Sequence, residues 1–257
     1  MDYKALHKAA ELSLENCQSR PRRLTLWFLL IAYGASAAVN VALLLWGEAL
    51  NGVGGFDVIG ARDRYYFWST VLTVALTAFM HLWNVGYESF ALRISRGERV
   101  SFSDLAAGLR AFGPFVLLYL LQTVFIALWS MLFVIPGIVA AYRYRLAAKL
   151  LLDHPEYSPL QAIRESKRLT RGHKLELFVL DLTFWLYFLL IFALEYWVVI
   201  AERFGLVIEG VRLQLIVYFA SLLLLLPIEL HYMPKVQTAY AHAYDWICAC
   251  NQARTMV

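Results

Sequence analysis

Three uninterrupted runs without a charged side chain, Leu24–Gly47, Tyr65–Tyr87 and Ala111–Tyr142, constrain this chain more than any motif in it. Each exceeds the about 20 residues that a helix needs to cross the hydrocarbon core of a bilayer. In hydrocarbon every backbone N–H and C=O has to be paired inside the protein, so such runs resolve as helices. Composition points the same way. Hydrophobic residues make up 61% of the chain and charged residues 16%, against about 45–50% and about 25% in soluble domains. The fold class read from the chain is therefore all-α: a polytopic helical membrane protein with short amphipathic cytoplasmic helices. The first run follows a polar and basic segment and leads into no small-residue cleavage site, so it is read as an anchor and not as a signal peptide.

Six crossings are predicted, near residues 24–46, 65–88, 113–134, 137–152, 175–200 and 213–234. Pro136 and Gly137 form a structural hinge between the third and the fourth, either closing a hairpin or kinking one long helix from Pro114 to Leu152. Charge favours the hairpin. With it, Lys4, Lys8, Arg20, Arg22, Arg23 and the basic stretch Arg164–Lys174 share one side, whereas the other side holds only Arg62, Arg64, Arg203 and Arg212. The positive-inside rule then puts both termini in the cytoplasm. Trp46, Trp68, Trp129 and Trp197 fall near the outer boundary and Trp27, Trp83 and Trp246 near the inner one, as an aromatic belt requires, with Trp185 well inside. Cys17, Cys248 and Cys250 all face the reducing cytoplasm on this reading, so no disulfide is expected.

Three short helices precede crossings. Residues 3–18 alternate apolar and charged positions weakly, as a helix lying on the membrane surface does. Ser101-Phe102-Ser103-Asp104 and Ser158-Pro159-Leu160-Gln161 carry the start signals of two more. A surface helix followed by a transmembrane hairpin, three times over, suggests a single membrane domain spanning 1–257 with repeat bounds near 1–92, 93–152 and 153–250. The third surface helix, with Arg164, Lys167, Arg168 and Arg171, is the most basic part of the chain. Beside the inner leaflet it reads as a topological determinant or as a contact for anionic lipid headgroups, at about 1 kcal/mol per cation. Nucleic acid is not expected as a partner, because the net charge is only +4 and the basic residues follow topology.

Charge inside the bundle marks the candidate site. Arg143 and Arg145 follow the Pro136-Gly137 hinge within the predicted fourth crossing, where an arginine costs about 2.5–3.5 kcal/mol unless it faces the bundle and finds partners. Tyr142, Arg145 and Lys149 share one helix face, and Arg143 points elsewhere. Asp181, Glu229, Glu88 and Glu195 are the candidate carboxylates. Two readings stand: the charges lock helices together, or Arg143, Arg145, Lys149, Asp181, Glu229 and Glu88 set a site for an anionic amphiphile or solute, for which guanidinium forks are suited. His81, Asn84 and Glu88 form a polar stripe, either packing or a proton relay, and His231, His242 and Asp245 are read as interfacial.

No zinc-protease helix, phosphate loop or nucleophile elbow is present, so no enzymatic activity is expected. Asn51-Gly52-Val53-Gly54-Gly55 reads as an outer-loop turn. Cys248-Ala249-Cys250 lacks the further ligands of a metal site, and neither metal nor cofactor is expected. The function classes left open are binding or transport at the arginines, and a non-catalytic scaffold or regulatory partner of another membrane protein.

Ile135-Pro136-Gly137, Ala140-Ala141-Tyr142-Arg143-Tyr144, Asp153-His154-Pro155, Ala162-Ile163, Ser166-Lys167, Gly172-His173-Lys174 and Phe178-Val179-Leu180-Asp181-Leu182-Thr183-Phe184 follow one another in this order. Together they resemble the signature of a bacterial membrane family, domain of unknown function 975. The resemblance implies a multipass protein of the bacterial plasma membrane and brings no activity or catalytic residue with it. Where the family often has a small residue and then Trp after this Phe, Trp185 follows Phe184 directly. The charge asymmetry yields the first prediction. In intact cells a membrane-impermeant thiol reagent should label an Arg62→Cys variant and leave the native cysteines untouched; labelling of the native cysteines alone would invert the topology.

Overall fold

A computed structural model describes residues 1–51, 58–203 and 211–255; the turn expected at Asn51–Gly55 lies outside them beyond its first residue. The described residues are helical and contain no strand. The helices are α1 (Tyr3–Asn16), α2 (Pro21–Asn51), α3 (Val58–Ser95), α4 (Ala107–Arg110), α5 (Phe112–Leu132), α6 (Val134–Tyr144), α7 (Ala147–Asp153), α8 (Pro159–Leu169), α9 (Lys174–Thr183), α10 (Trp185–Arg203) and α11 (Val211–Thr255), with a 3-10 turn at Phe102–Ala106 before α4. Four helical segments are long and apolar enough to cross a membrane: Pro21–Leu50, Gly60–Ser95, Phe112–Leu132 and Arg212–Ala253. A fifth results if α9 and the Trp185–Trp197 part of α10, bent by 66° at Phe184, make one broken span.

The fourth predicted crossing takes a different form. Instead of one helix over 137–152 there are two short ones, α6 of 11 residues and α7 of 7, interrupted at Arg145-Leu146. The reversal before them comes earlier than the hinge, at Phe133, whose extended backbone (φ −162°, ψ 157°) separates α5 from α6. Pro136 therefore sits in the first turn of α6, where its missing N–H costs no helical hydrogen bond. Gly137 serves the packing of α6 against α5: a Cβ there would lie 2.1 Å from Ser130 Oγ and 3.0 Å from Ser130 Cα.

The chain forms two compact units. Unit 1 comprises Met1–Leu24, His81–Trp185 and Tyr232–Val257; unit 2 comprises Thr25–Met80 and Leu186–His231. In unit 1, Leu82 and Val85 of α3, Phe115 and Leu118 of α5, Ala140 and Tyr144 of α6, Ala147 and Leu151 of α7, and Ala162 and Ile163 of α8 share one apolar core. A second core joins Ala91 and Leu92 to Leu146, Leu150, Leu169, Leu177 and Tyr244. The basic helix α8 is thus only partly a surface helix, with Ala162, Ile163, Ser166 and Leu169 buried. Its start is the expected capping box: Ser158 N–H donates to Gln161 Oε1 (2.7 Å), and Gln161 N–H to Ser158 Oγ (3.3 Å). At the 3-10 turn, Asp104 accepts from Ser101 N–H at 2.7 Å. Trp83, assigned above to the inner aromatic belt, is instead 4% exposed within unit 1.

Two glycines allow α3 to approach the chain before α5. A Cβ on Gly86 would lie 1.7 Å from the Leu105 carbonyl oxygen, and one on Gly108 2.1 Å from that of Leu82. Both obstacles are backbone, which cannot rotate aside, so Gly86→Ala should destabilise unit 1 by about 3 kcal/mol, the upper end of the usual overpacking cost. Gly34→Ala, whose Cβ meets nothing within 4 Å, should not destabilise. Thermal unfolding of the two variants in detergent checks the difference.

Candidate functional site

A helix that stops among apolar side chains leaves backbone groups without partners. The α6–α7 interruption is closed by side chains from other helices. Ser166 of α8, fully buried, donates from Oγ to the Arg143 carbonyl (2.8 Å) and accepts from Leu146 N–H (3.2 Å). Thr170 Oγ1 also reaches the Arg143 carbonyl at 3.4 Å, and Gln122 Nε2 of α5 donates to the Tyr144 carbonyl at 2.8 Å. The break is a built feature of the fold.

Arg145, at the end of α6, turns to α9. Its guanidinium donates twice to Asp181, at 2.6 Å and 2.8 Å, the bidentate geometry that makes arginine–carboxylate pairs strong. Tyr142 Oη donates to Asp181 Oδ2 at 2.5 Å and Tyr240 Oη to Oδ1 at 2.6 Å. Each carboxylate oxygen thus accepts two hydrogen bonds. The Arg145 guanidinium also lies over the Tyr240 ring at 4.3 Å and the Tyr142 ring at 5.5 Å, adding cation–π attraction. Lys149, 5% exposed, makes its ion pair with Glu88 of α3 at 3.0 Å. The candidate residues therefore separate into distinct sets. Arg145 and Asp181 are one pair, Lys149 and Glu88 a second.

Arg143 joins neither pair. Among the described residues no carboxylate meets it, and its guanidinium lies 5.9 Å from the Trp129 ring. Around the α5–α6 turn, Met131, Leu132, Phe133, Val134, Ile135 and Ile138 are all exposed. Glu229 belongs to unit 2, where Tyr33 Oη donates to it at 2.6 Å. Along the polar stripe of α3, Glu88 is taken by Lys149, and the His81 ring rests against Tyr119 at 4.1 Å with its Nε2 buried and unpartnered in the structure.

Sequence reasoning missed a second charge cluster in unit 1. Arg96 donates to both oxygens of Asp153 (2.7 and 2.8 Å) and to Asp245 (2.7 Å), and Tyr244 Oη donates to Asp153 at 2.9 Å. A cavity of about 440 Å³ borders this cluster, with His154, Tyr157, Arg168 and Cys248 also on its wall. The hydrogen bonds to Asp153 and Asp245 raise the Arg96 pKa above its ordinary value. Burial by itself would raise the pKa of Asp153, but the donors Arg96 and Tyr244 outweigh it and hold the carboxyl below its usual range. Nothing in the local sequence announces this cluster, because its members are far apart along the chain.

The Arg145–Asp181 pair generates a stability prediction. Removing one partner leaves an uncompensated charge, which costs about 3–5 kcal/mol, whereas replacing both with apolar residues is close to neutral. Asp181→Leu should therefore unfold at a clearly lower temperature than the Arg145→Leu/Asp181→Leu double variant. Equal losses would mean that the pair is not desolvated.

No curated protein and no solved structure matches the chain. Residues 131–249, which include Arg143, Arg145, Lys149, Asp181 and Tyr240, match the family described as Protein of unknown function (DUF975), the family that the motifs of residues 135–185 resemble.

Proposed function

We propose that this chain is a multipass protein of the bacterial plasma membrane that binds or moves an anionic amphiphile, with Arg143 meeting its headgroup. The observation that carries this reading is the unequal fate of the two arginines. Arg145 is neutralised by Asp181, while Arg143 has no carboxylate among the described residues and lies near the Trp129 ring, close to the end of α5 that leads into the exposed apolar α5–α6 turn. A guanidinium next to an apolar surface suits a ligand with an anionic head and a hydrocarbon body. The basic residues of α8, at the inner leaflet, add attraction for anionic lipid. In this reading α6 and α7 together make a broken fourth crossing, of the kind transporters use near their sites, which brings the total to six. An even number of crossings then puts both termini on the basic, cytoplasmic side.

A second reading is favoured by the ion pairs themselves. Arg145, Asp181, Lys149 and Glu88 are all paired within unit 1, as they would be in a non-catalytic scaffold that docks another membrane protein through its basic helices. Native mass spectrometry of the protein released from its membrane in mild detergent separates the two. Binding predicts a retained phospholipid mass that is lost in Arg143→Gln and kept in the Arg145→Leu/Asp181→Leu double variant. A retained protein partner, with no lipid sensitive to Arg143, would favour the scaffold.

A further inference from the structure

Unit 2 contains a cavity that none of the arginines serves. It measures about 500 Å³ and lies among α2, α10 and α11, with one residue of α3, Met80, on its wall. Its lining is mainly apolar, with Leu44, Leu194, Leu215 and Leu222 among its residues. That volume and that surface are typical of sites for small organic molecules. Ser36, Asn40, Gln214, Tyr218 and Ser221 add neutral polar groups, of which Asn40 Nδ2 donates to the Ser36 carbonyl at 2.8 Å, Tyr218 Oη to Ser36 Oγ at 3.4 Å and Ser221 Oγ to the Val217 carbonyl at 3.0 Å. The one charged group among the described lining residues is a carboxylate. Glu195 of α10 is on the wall, and Tyr33 of α2, also on the wall, donates to Glu229 at 2.6 Å. No Lys, Arg or His is among the described lining residues.

Glu195 decides what the cavity accepts. It lies in the Trp185–Trp197 part of α10, within the broken candidate span. Among the described residues no hydrogen-bond donor and no cation meets its carboxylate, in contrast to the saturated Asp181 of unit 1. It also lies near enough to Glu229 for the two to interact electrostatically. A carboxyl group in apolar surroundings either stays protonated or takes a positive partner. Two of them disfavour an anion, and a neutral occupant can offer them hydrogen bonds but no charge. A bare inorganic cation would require a close cage of oxygens, whereas this wall is mainly apolar and supplies one carboxylate among its described residues. A cation clothed in apolar groups satisfies walls and carboxylates together, and the Tyr33 and Tyr218 rings on the wall offer it π faces.

We propose that this cavity is a binding site for a lipophilic organic cation, an amine or quaternary ammonium with apolar substituents, whose positive centre is met by Glu195 and, behind Tyr33, by Glu229. The site is separate from Arg143 and does not rest on the function proposed above.

The test uses ethidium as the probe, with the full-length protein in phosphatidylcholine nanodiscs and empty nanodiscs as the baseline, read by fluorescence anisotropy. The expected result is saturable binding that tetraphenylphosphonium displaces and dodecyl sulfate does not. Glu195→Gln should weaken binding at least about tenfold, a difference of about 1.4 kcal/mol, and Glu195→Asp should retain it. Leu222→Trp, which fills the cavity, should abolish it, and Arg143→Gln should leave it unchanged. Thermal unfolding of each variant establishes that it is folded. Absence of saturable binding overturns the proposal, as does unchanged affinity in a folded Glu195→Gln or Leu222→Trp variant. If Glu195→Gln does not fold, Glu195→Asp and Leu222→Trp decide.

Discussion

Unit 1 depends on one arrangement: the interruption of a helix at Arg145-Leu146 in surroundings that offer its backbone little water. Unpaired N–H and C=O groups in an apolar medium cost several kcal/mol each. Ser166, Thr170 and Gln122 meet the groups that the break exposes, and they come from α8, the turn after it and α5. This explains why α8, despite its basic outer face, buries Ser166 within the fold. Its polar interior closes the broken helix, and its apolar positions join the core around Tyr144 and Ala147.

Two arginines only two positions apart in the chain precede this break and meet different surroundings. In a continuous helix such residues lie about 200° apart around the axis and already face different neighbours. Here Arg145 ends α6 and is fixed on Asp181 by a fork and two tyrosine hydroxyls, whereas Arg143 remains over Trp129. Paired charges of this kind add little net stability but make any mismatch costly. They specify which helices meet. Lys149 with Glu88, and Arg96 with Asp153 and Asp245, do the same for α7 with α3 and for α3 with α11. Unit 1 is thus stitched by ion pairs between segments distant in sequence.

Unit 2 has a different chemistry. Its described polar contacts are mostly neutral, such as Trp197 donating to Ser221 (2.9 Å) and Tyr65 meeting the Leu43 carbonyl (3.4 Å). Against that background a carboxylate on a cavity wall is an exception. The two units therefore differ in character, with an arginine near the Trp129 ring in one and a mainly apolar cavity with a carboxyl group on its wall in the other.

The uncharged runs by themselves determined that the chain is helical and suited to a bilayer, because backbone satisfaction in hydrocarbon leaves few other solutions. Local signals also sufficed for the capping box at Ser158, which depends on neighbours a few residues away, whereas for the α5–α6 reversal they left a kink and a hairpin open and pointed to Pro136-Gly137 instead of Phe133. The pairing of Tyr142 and Arg145 was half legible. Helical spacing put them on one face, but Asp181 was one of several candidate carboxylates and Tyr240 carried no signal at all. Only the tertiary structure decided the interruption at Arg145, the bend at Phe184, the Arg96–Asp153–Asp245 cluster and the cavity beside Glu195. Each is made by groups that are distant along the chain. A sequence records which side chains a helix carries, whereas the partners that satisfy a buried charge or a broken backbone are chosen by packing.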